Sequence, residues 1–76
     1  MQFEWDAAKS AHNATARGLP FELAVLLFDG PTLEAEDTRR PYGEVRMRAV
    51  GEVGGDILVC VYTDRAADIR RLISLR

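Results

Sequence analysis

Residues 57–62, ILVCVY, form an unbroken apolar run of strand length. A short run of this kind, rich in β-branched and aromatic residues, is typical of a central strand that is covered on both faces. Residues 51–55 before it and residues 63–67 after it have the composition of turns. The sequence therefore predicts a sheet built around residues 57–62, with a strand on each side.

Arginines alternate with apolar residues in the segment that precedes this run. Residues 44–50 have the period-two pattern of a strand, which places Arg46 and Arg48 on one face and apolar side chains on the other. Residues 69–75 predict the last strand, and residues 32–36 predict a weak strand at an edge. We therefore expect the second half of the chain to consist of strands.

The first half of the chain predicts a short strand followed by helices. Residues 2–5 alternate like a strand, and residues 7–17 form an alanine-rich helix with Asp6 as its N-cap and Gly18 at its C-terminal end. Residues 20–28 form a second helix with a core-facing apolar stripe. The predicted order, β-α-α-β-β-β-β, favours an α+β fold with an antiparallel sheet and the helices on one face.

The bulk composition is that of one small domain, residues 1–76. The net charge of −2 and the pI near 5.3 argue mildly against nucleic-acid binding, although arginines concentrate in the second half. Cys60 is the only cysteine, which fits a reducing cytoplasm, and we find neither a leader peptide nor a membrane-spanning run. Because His12 and Cys60 lie far apart, we expect no metal and no cofactor.

Motifs along almost the whole chain resemble the BrnT family of ribonuclease toxins. They are Phe3-Glu4-Trp5-Asp6, Lys9, Asn13, Gly18, Phe21-Glu22, Phe28-Asp29, Arg46, Val50-Gly51, Val61-Tyr62-Thr63, Arg65, Arg71 and Ile73-Ser74-Leu75-Arg76. Two departures stand out. Ala16 and Arg17 occupy positions where family members usually have Lys-His, and the family's basic C-terminal helix has no counterpart after Arg76.

This resemblance implies a RelE-like fold and endoribonuclease activity. It also implies neutralisation by a cognate antitoxin, BrnA, which carries a ribbon-helix-helix DNA-binding domain. The toxin would contact DNA only indirectly, through that antitoxin.

RNA cleavage without a metal needs a base for the 2′-hydroxyl, an acid for the leaving 5′-oxygen and cations for the charge on the phosphorane. Arginine suits the third task, because its planar fork matches phosphate oxygens and stays charged. The residues predicted to act in catalysis are Arg65, Arg71, Arg46 and Lys9. The residues predicted to bind substrate are Asn13, Arg17, Tyr62, Thr63, Ser74 and Arg76.

Spacing along the first helix and the last strand sets the expected geometry. Lys9, Asn13 and Arg17 are four apart and share a helix face, which either contacts phosphate or is merely solvated. Along the last strand, simple alternation places Arg71 on the face opposite to Arg76.

Two alternatives remain open at this point. One is a catalytically impaired module that only engages the antitoxin, favoured by Ala16, Arg17 and the missing tail. The other is a structural protein that forms a homodimer through the uncovered face of the sheet.

Overall fold

A five-stranded sheet and two helices make up the computed structural model, which describes residues 1–76. The elements are β1 (Gln2–Glu4), α1 (Ala7–Arg17), α2 (Glu22–Asp29), β2 (Leu33–Glu36), β3 (Met47–Val53), β4 (Asp56–Ala66) and β5 (Ile69–Leu75). This order confirms the predicted α+β fold. Neither helix has the length and hydropathy needed to cross a membrane.

The sheet has the strand order β1-β5-β4-β3-β2. Neighbouring strands are antiparallel, except that β1 runs parallel to β5. The exception arises because α1 and α2 carry the chain from β1 at one edge of the sheet to β2 at the other, and the following hairpins bring β5 back beside β1. The expected antiparallel sheet is therefore correct for three of the four strand pairs.

Two strands are displaced or lengthened relative to the sequence prediction. Strand β3 begins at Met47, so Arg46 lies just before the strand and does not share a strand face with Arg48. Strand β4 extends from Asp56 to Ala66 and includes much of the segment predicted as a turn. Only Gly54 and Gly55 form the β3–β4 turn, both with positive φ, which is the backbone of a two-residue hairpin.

The ends of α1 are as predicted. The Asp6 carboxylate accepts hydrogen bonds from the backbone N–H of Ala8 (2.9 Å) and Lys9 (3.2 Å). At the other end, Gly18 adopts a left-handed conformation (φ 70°), and its N–H donates to Ala14. The start of α2 has no side-chain cap of its own. Instead, the buried N–H of Phe21 donates to Oγ of Ser10 on α1 (2.9 Å), a tertiary contact that the sequence pattern did not reveal.

The core lies between α2 and one face of the sheet. It contains Phe21, Ala24, Leu27, Ala49, Leu58, Cys60, Tyr62, Leu72 and Leu75. Cys60 is fully buried, as predicted, and burial raises the pKa of its thiol to about 12. A Cβ added to Gly51 on β3 would lie 3.1 Å from Cγ of Leu27, so glycine allows α2 to approach the sheet closely.

Candidate functional site

The face of the sheet opposite the helices carries most of the predicted site residues, and we call it the open face. Buried Ala49, Cys60 and Tyr62 mark the covered face, and strand residues one position away point to the other side. The open face comprises Arg48 and Val50 of β3, Val59, Val61, Thr63 and Arg65 of β4, Arg71 and Ser74 of β5, Glu4 of β1, and Arg76. Arg48 pairs with Val61 and Arg71 pairs with Thr63, and both of these β4 residues are buried.

A bulge in β5 brings Arg71 to the same face as Arg76. Thr63 lies opposite Arg71 and Val61 opposite Ser74, so one extra residue is inserted in β5 between these pairs. Arg76 continues the ladder through two backbone hydrogen bonds with Val59. The expectation that Arg71 and Arg76 point to opposite faces is therefore wrong, because the extra residue resets the alternation.

The three arginines predicted for catalysis lie together, with carboxylates between them. Nε of Arg46 donates to Oε2 of Glu44 (3.1 Å), and Nη1 of Arg65 lies 3.5 Å from Oε1 of the same residue. Oε1 of Glu4 lies 3.9 Å from Nε of Arg65 and 3.5 Å from Nη1 of Arg71. We call this chain of alternating charges the arginine network. Its cations are locally compensated.

Other cations on and beside the open face have no carboxylate partner. Lys9, Arg40, Arg48 and Arg76 form no salt bridge in the structure. Three of them, Lys9, Arg40 and Arg76, line a cleft of about 550 Å³ together with Arg46. A smaller depression of about 180 Å³ places Arg48 and Arg76 over an apolar floor of Val59 and Val61.

Residues 37–46 cross the open face as a strap between β2 and β3. Asp37 is buried and receives two hydrogen bonds of 2.8 Å from the Arg39 guanidinium and one of 3.3 Å from the Tyr42 hydroxyl. The hydrogen bonds from Arg39 hold the pKa of this carboxyl well below its usual range. The Arg46 guanidinium stacks on the Tyr42 ring at 4.1 Å, so the strap also positions a predicted catalytic residue.

The groove between α1 and the end of β5 contains the predicted helix stripe. It has a volume of about 470 Å³ and is lined by Lys9, His12 and Arg17, among others. Asn13 has a different environment, since its amide donates to the carbonyls of Leu19 (2.7 Å) and Leu75 (3.0 Å). The structure therefore places Lys9 and Arg17 where a ligand can reach them, whereas both amide hydrogen bonds of Asn13 hold the fold.

Tyr62 and Thr63 lie on opposite faces of β4. The Tyr62 ring is 3% exposed on the covered face, and its hydroxyl donates to Glu34 of β2. Burial and this hydrogen bond raise the pKa of Tyr62 well above its ordinary value. Arg70 stacks over the ring at 3.9 Å, so no base can stack on Tyr62 in this position. The Thr63 hydroxyl donates to the Val45 carbonyl (2.7 Å) and anchors the strap.

Sequence reasoning missed the acidic members of the site. Glu4 belongs to the Glu-Trp-Asp motif, and Glu44 precedes Arg46 by two residues. Either position could have indicated an acidic site residue. Nothing in the sequence pattern indicated that Arg39 or Arg40 would fold over the sheet. No three side chains of His, Cys, Asp or Glu are grouped so that they could hold a metal ion.

The fold and the open face define a small α+β protein with a cationic surface on the uncovered side of its sheet. A family model described as the ribonuclease toxin BrnT of type II toxin–antitoxin systems matches residues 5–76. The chain belongs to the BrnT family. No curated protein matches the chain. Family membership implies ribonuclease activity, an RNA substrate and an antitoxin partner.

Proposed function

We propose that the chain is a metal-independent endoribonuclease toxin of the reducing cytoplasm that binds single-stranded RNA on the open face. The observation that carries this proposal is the cleft beneath the strap. Its lining includes Lys9, Arg39, Arg40, Arg46 and Arg76, and its one acid, Asp37, is buried and already paired with Arg39. Such a cleft offers the phosphate backbone several cations that need not first be released from a carboxylate.

The path of the RNA follows from residues shared between neighbouring cavities. Lys9, Ser74 and Arg76 line both the strap cleft and the groove beside α1. Ser74 and Arg76 also border the depression that contains Arg48. A strand of RNA would therefore run from Arg17 on α1, past Arg76, to Arg48, with basic side chains along its whole course.

The arginine network is the proposed reaction centre. Arg46 lines the strap cleft, and Arg65 and Arg71 follow it in one chain of charge contacts. Guanidinium groups held in place before the reaction stabilise the charge that develops on the phosphorane. Lys9 would hold a neighbouring phosphate from the edge of the strap cleft, which Arg46 also lines.

We further propose that a BrnA-like ribbon-helix-helix antitoxin covers this face, and that the toxin contacts DNA only through it. Beyond Arg48 the open face is mainly apolar, with Leu33 and Ile57 both largely exposed beside Val50 and Val59, and one acid, Glu52, paired with Ile57 at the far end. A partner segment with apolar and acidic side chains would match this strip and the neighbouring Arg48. Burial of the apolar strip would contribute affinity, and the charges would set orientation.

The proposed activity is tested with purified protein and single-stranded RNA in excess EDTA. Cleavage is expected for the unmodified chain, and the double variant Arg65→Ala, Arg71→Ala should lose it while its circular dichroism spectrum stays unchanged. Addition of the antitoxin should stop cleavage by the unmodified chain. If the unmodified chain binds RNA and antitoxin but leaves RNA intact, the ribonuclease proposal is wrong.

That outcome would support the second candidate function, a binding module that engages only the antitoxin. The specific observation in its favour is the arginine network itself, in which Glu4 and Glu44 already occupy the guanidinium groups. Ala16 and Arg17 at the end of α1 agree with it.

A further inference from the structure

Glu4 lies inside the arginine network, and the roles proposed so far make no use of its carboxylate. Both neighbouring guanidinium groups make their closest approach to the same oxygen, Oε1, at 3.5 Å from Arg71 and 3.9 Å from Arg65. These contacts are longer than an ordinary charged hydrogen bond. The side chain is 44% exposed and no protein donor forms a hydrogen bond with its Oε2, so this oxygen is available to a further donor.

The position of Glu4 is fixed by the sheet. In the parallel β1–β5 ladder Glu4 pairs with Arg71, and in the antiparallel β4–β5 ladder Arg71 pairs with Thr63. Catalytic groups held on strands keep their geometry better than groups on loops. The carboxylate is therefore held next to two cations on the face where RNA is proposed to bind.

Other candidate bases near this face are less suited to accept a proton. Both oxygens of Glu44 face a guanidinium, because Oε2 accepts a hydrogen bond from Arg46 and Oε1 faces Arg65. Asp37 is buried and receives four hydrogen bonds, which leaves it a weak base. His12 lines the groove beside α1, and none of the three arginines of the network lines that groove.

We infer that Glu4 is the general base of the cleavage reaction, an inference that rests on the ribonuclease function proposed above. Oε2 of Glu4 takes the proton of the 2′-hydroxyl, and the 2′-oxygen forms a bond to the adjacent phosphorus. The bond from phosphorus to the 5′-oxygen breaks, and that oxygen takes a proton from water. The products are a 2′,3′-cyclic phosphate and a 5′-hydroxyl, and Glu4 returns its proton to solvent.

Arg65 and Arg71 have a second role in this step. Before attack they balance the charge of Glu4, and as the proton moves to Glu4 their charge becomes available to the phosphorane oxygens. The positive charge is therefore present at the point where negative charge develops, without a rearrangement of the protein.

The variant Glu4→Gln tests this role, since it keeps the shape of the side chain and removes its ability to accept a proton. We expect cleavage to slow by roughly 10²–10⁴-fold, the usual contribution of a positioned acid or base. Binding of a 2′-O-methylated RNA, which cannot be cleaved, should stay equal or become tighter, because one negative charge near the phosphates is lost. Glu36→Gln is the matched control, an exposed glutamate of β2 that forms no salt bridge.

The pH profile gives a second readout that a purely structural role would not change. In the unmodified chain the cleavage rate should rise with pH while the base ionises, and Glu4→Gln should lose this rise, whereas Glu4→Asp should keep it at a lower rate. Equal loss of cleavage and of binding to the 2′-O-methylated RNA would overturn the inference, as would an unchanged pH profile in Glu4→Gln. Absence of cleavage by the unmodified chain would instead overturn the ribonuclease proposal.

Discussion

Single residues decide which arginines of the open face are free to bind an anion. Arg65 and Arg71 are held by Glu4, whereas Arg48 and Arg76 have no acidic neighbour within salt-bridge distance. An exposed ion pair is worth little to stability, so these pairs are better explained by the arrangement of the site than by folding. Under the proposed function the same side-chain type therefore serves two purposes: free arginines attract the polynucleotide, and paired arginines stabilise the reaction.

Asn13 shows how a side chain on a polar helix face can act in folding. Its amide joins the carbonyls of Leu19 and Leu75, which tie α1 to the following loop and to the last strand. Asn13→Ala should lower the free energy of unfolding by roughly 1–3 kcal/mol, because it leaves partly buried carbonyls without a donor.

Urea denaturation followed by circular dichroism measures this change. Thr15→Ala, two residues along on the exposed side of the same helix, is the control and should have little effect. An Asn13→Ala variant as stable as the unmodified chain would show that its amide does not hold α1 against the sheet.

Among the elements, the strap connects the edge strand β2 to the arginine network. The backbone N–H of Asp37 donates to the Arg46 carbonyl (2.7 Å), and the Thr63 hydroxyl holds Val45. The first bond joins the two ends of the strap to each other, and the second fixes the strap to β4. Together they hold Arg39 and Arg46 over the sheet. Its order depends chiefly on one buried carboxylate, that of Asp37.

Asp37→Asn should loosen the strap and lower stability at neutral pH. The hydrogen bonds from Arg39 depress the pKa of Asp37 in the folded state below its ordinary value of 3.8. Its contribution is therefore fully present above that value and declines as the pH falls toward the folded-state pKa. The difference in unfolding free energy between the unmodified chain and Asp37→Asn should be constant near neutrality and shrink in acid.

Denaturation at a series of pH values tests this expectation, and hydrogen exchange should show faster exchange of the strap amides in Asp37→Asn. Asp56→Asn at the start of β4 removes an exposed acid without a salt bridge and is the control. A difference that persists unchanged in acid would contradict an ionic role for Asp37.

For the whole molecule, net charge is a poor guide to partners. The chain carries −2 overall, yet Lys9, Arg40, Arg46 and Arg76 line one cleft whose single acid, Asp37, is already paired with Arg39. Local potential, rather than total charge, steers a polyanion toward a surface. This is why the mild argument against nucleic-acid binding that the composition provides does not conflict with a cationic open face.

The salt dependence of RNA binding measures this surface directly. For single strands, log K falls with log salt by about 0.7 for each phosphate contact. Arg48→Ala should weaken binding of 2′-O-methylated RNA and make this slope shallower by about that amount, whereas Arg48→Lys should keep the slope, since the charge remains. An unchanged slope in Arg48→Ala would place the RNA elsewhere on the molecule.

The class of fold, the element order and the caps of α1 could be predicted from the sequence, because they depend on local periodicity and on single residues such as Asp6 and Gly18. The sequence also selected Arg46, Arg65 and Arg71, which the structure brings into one network. Whether those residues bind RNA stays a prediction.

The sequence did not reveal which side chains share a face or which charges compensate one another. The bulge in β5 reverses the alternation that would separate Arg71 from Arg76, and the strap brings Arg39 and Arg40 over a sheet whose strands contain neither. Both effects depend on pairing between distant segments of chain. Periodicity within one segment does not show that one of its residues is left unpaired against the neighbouring strand. It also does not show which carboxylate the fold sets beside an arginine.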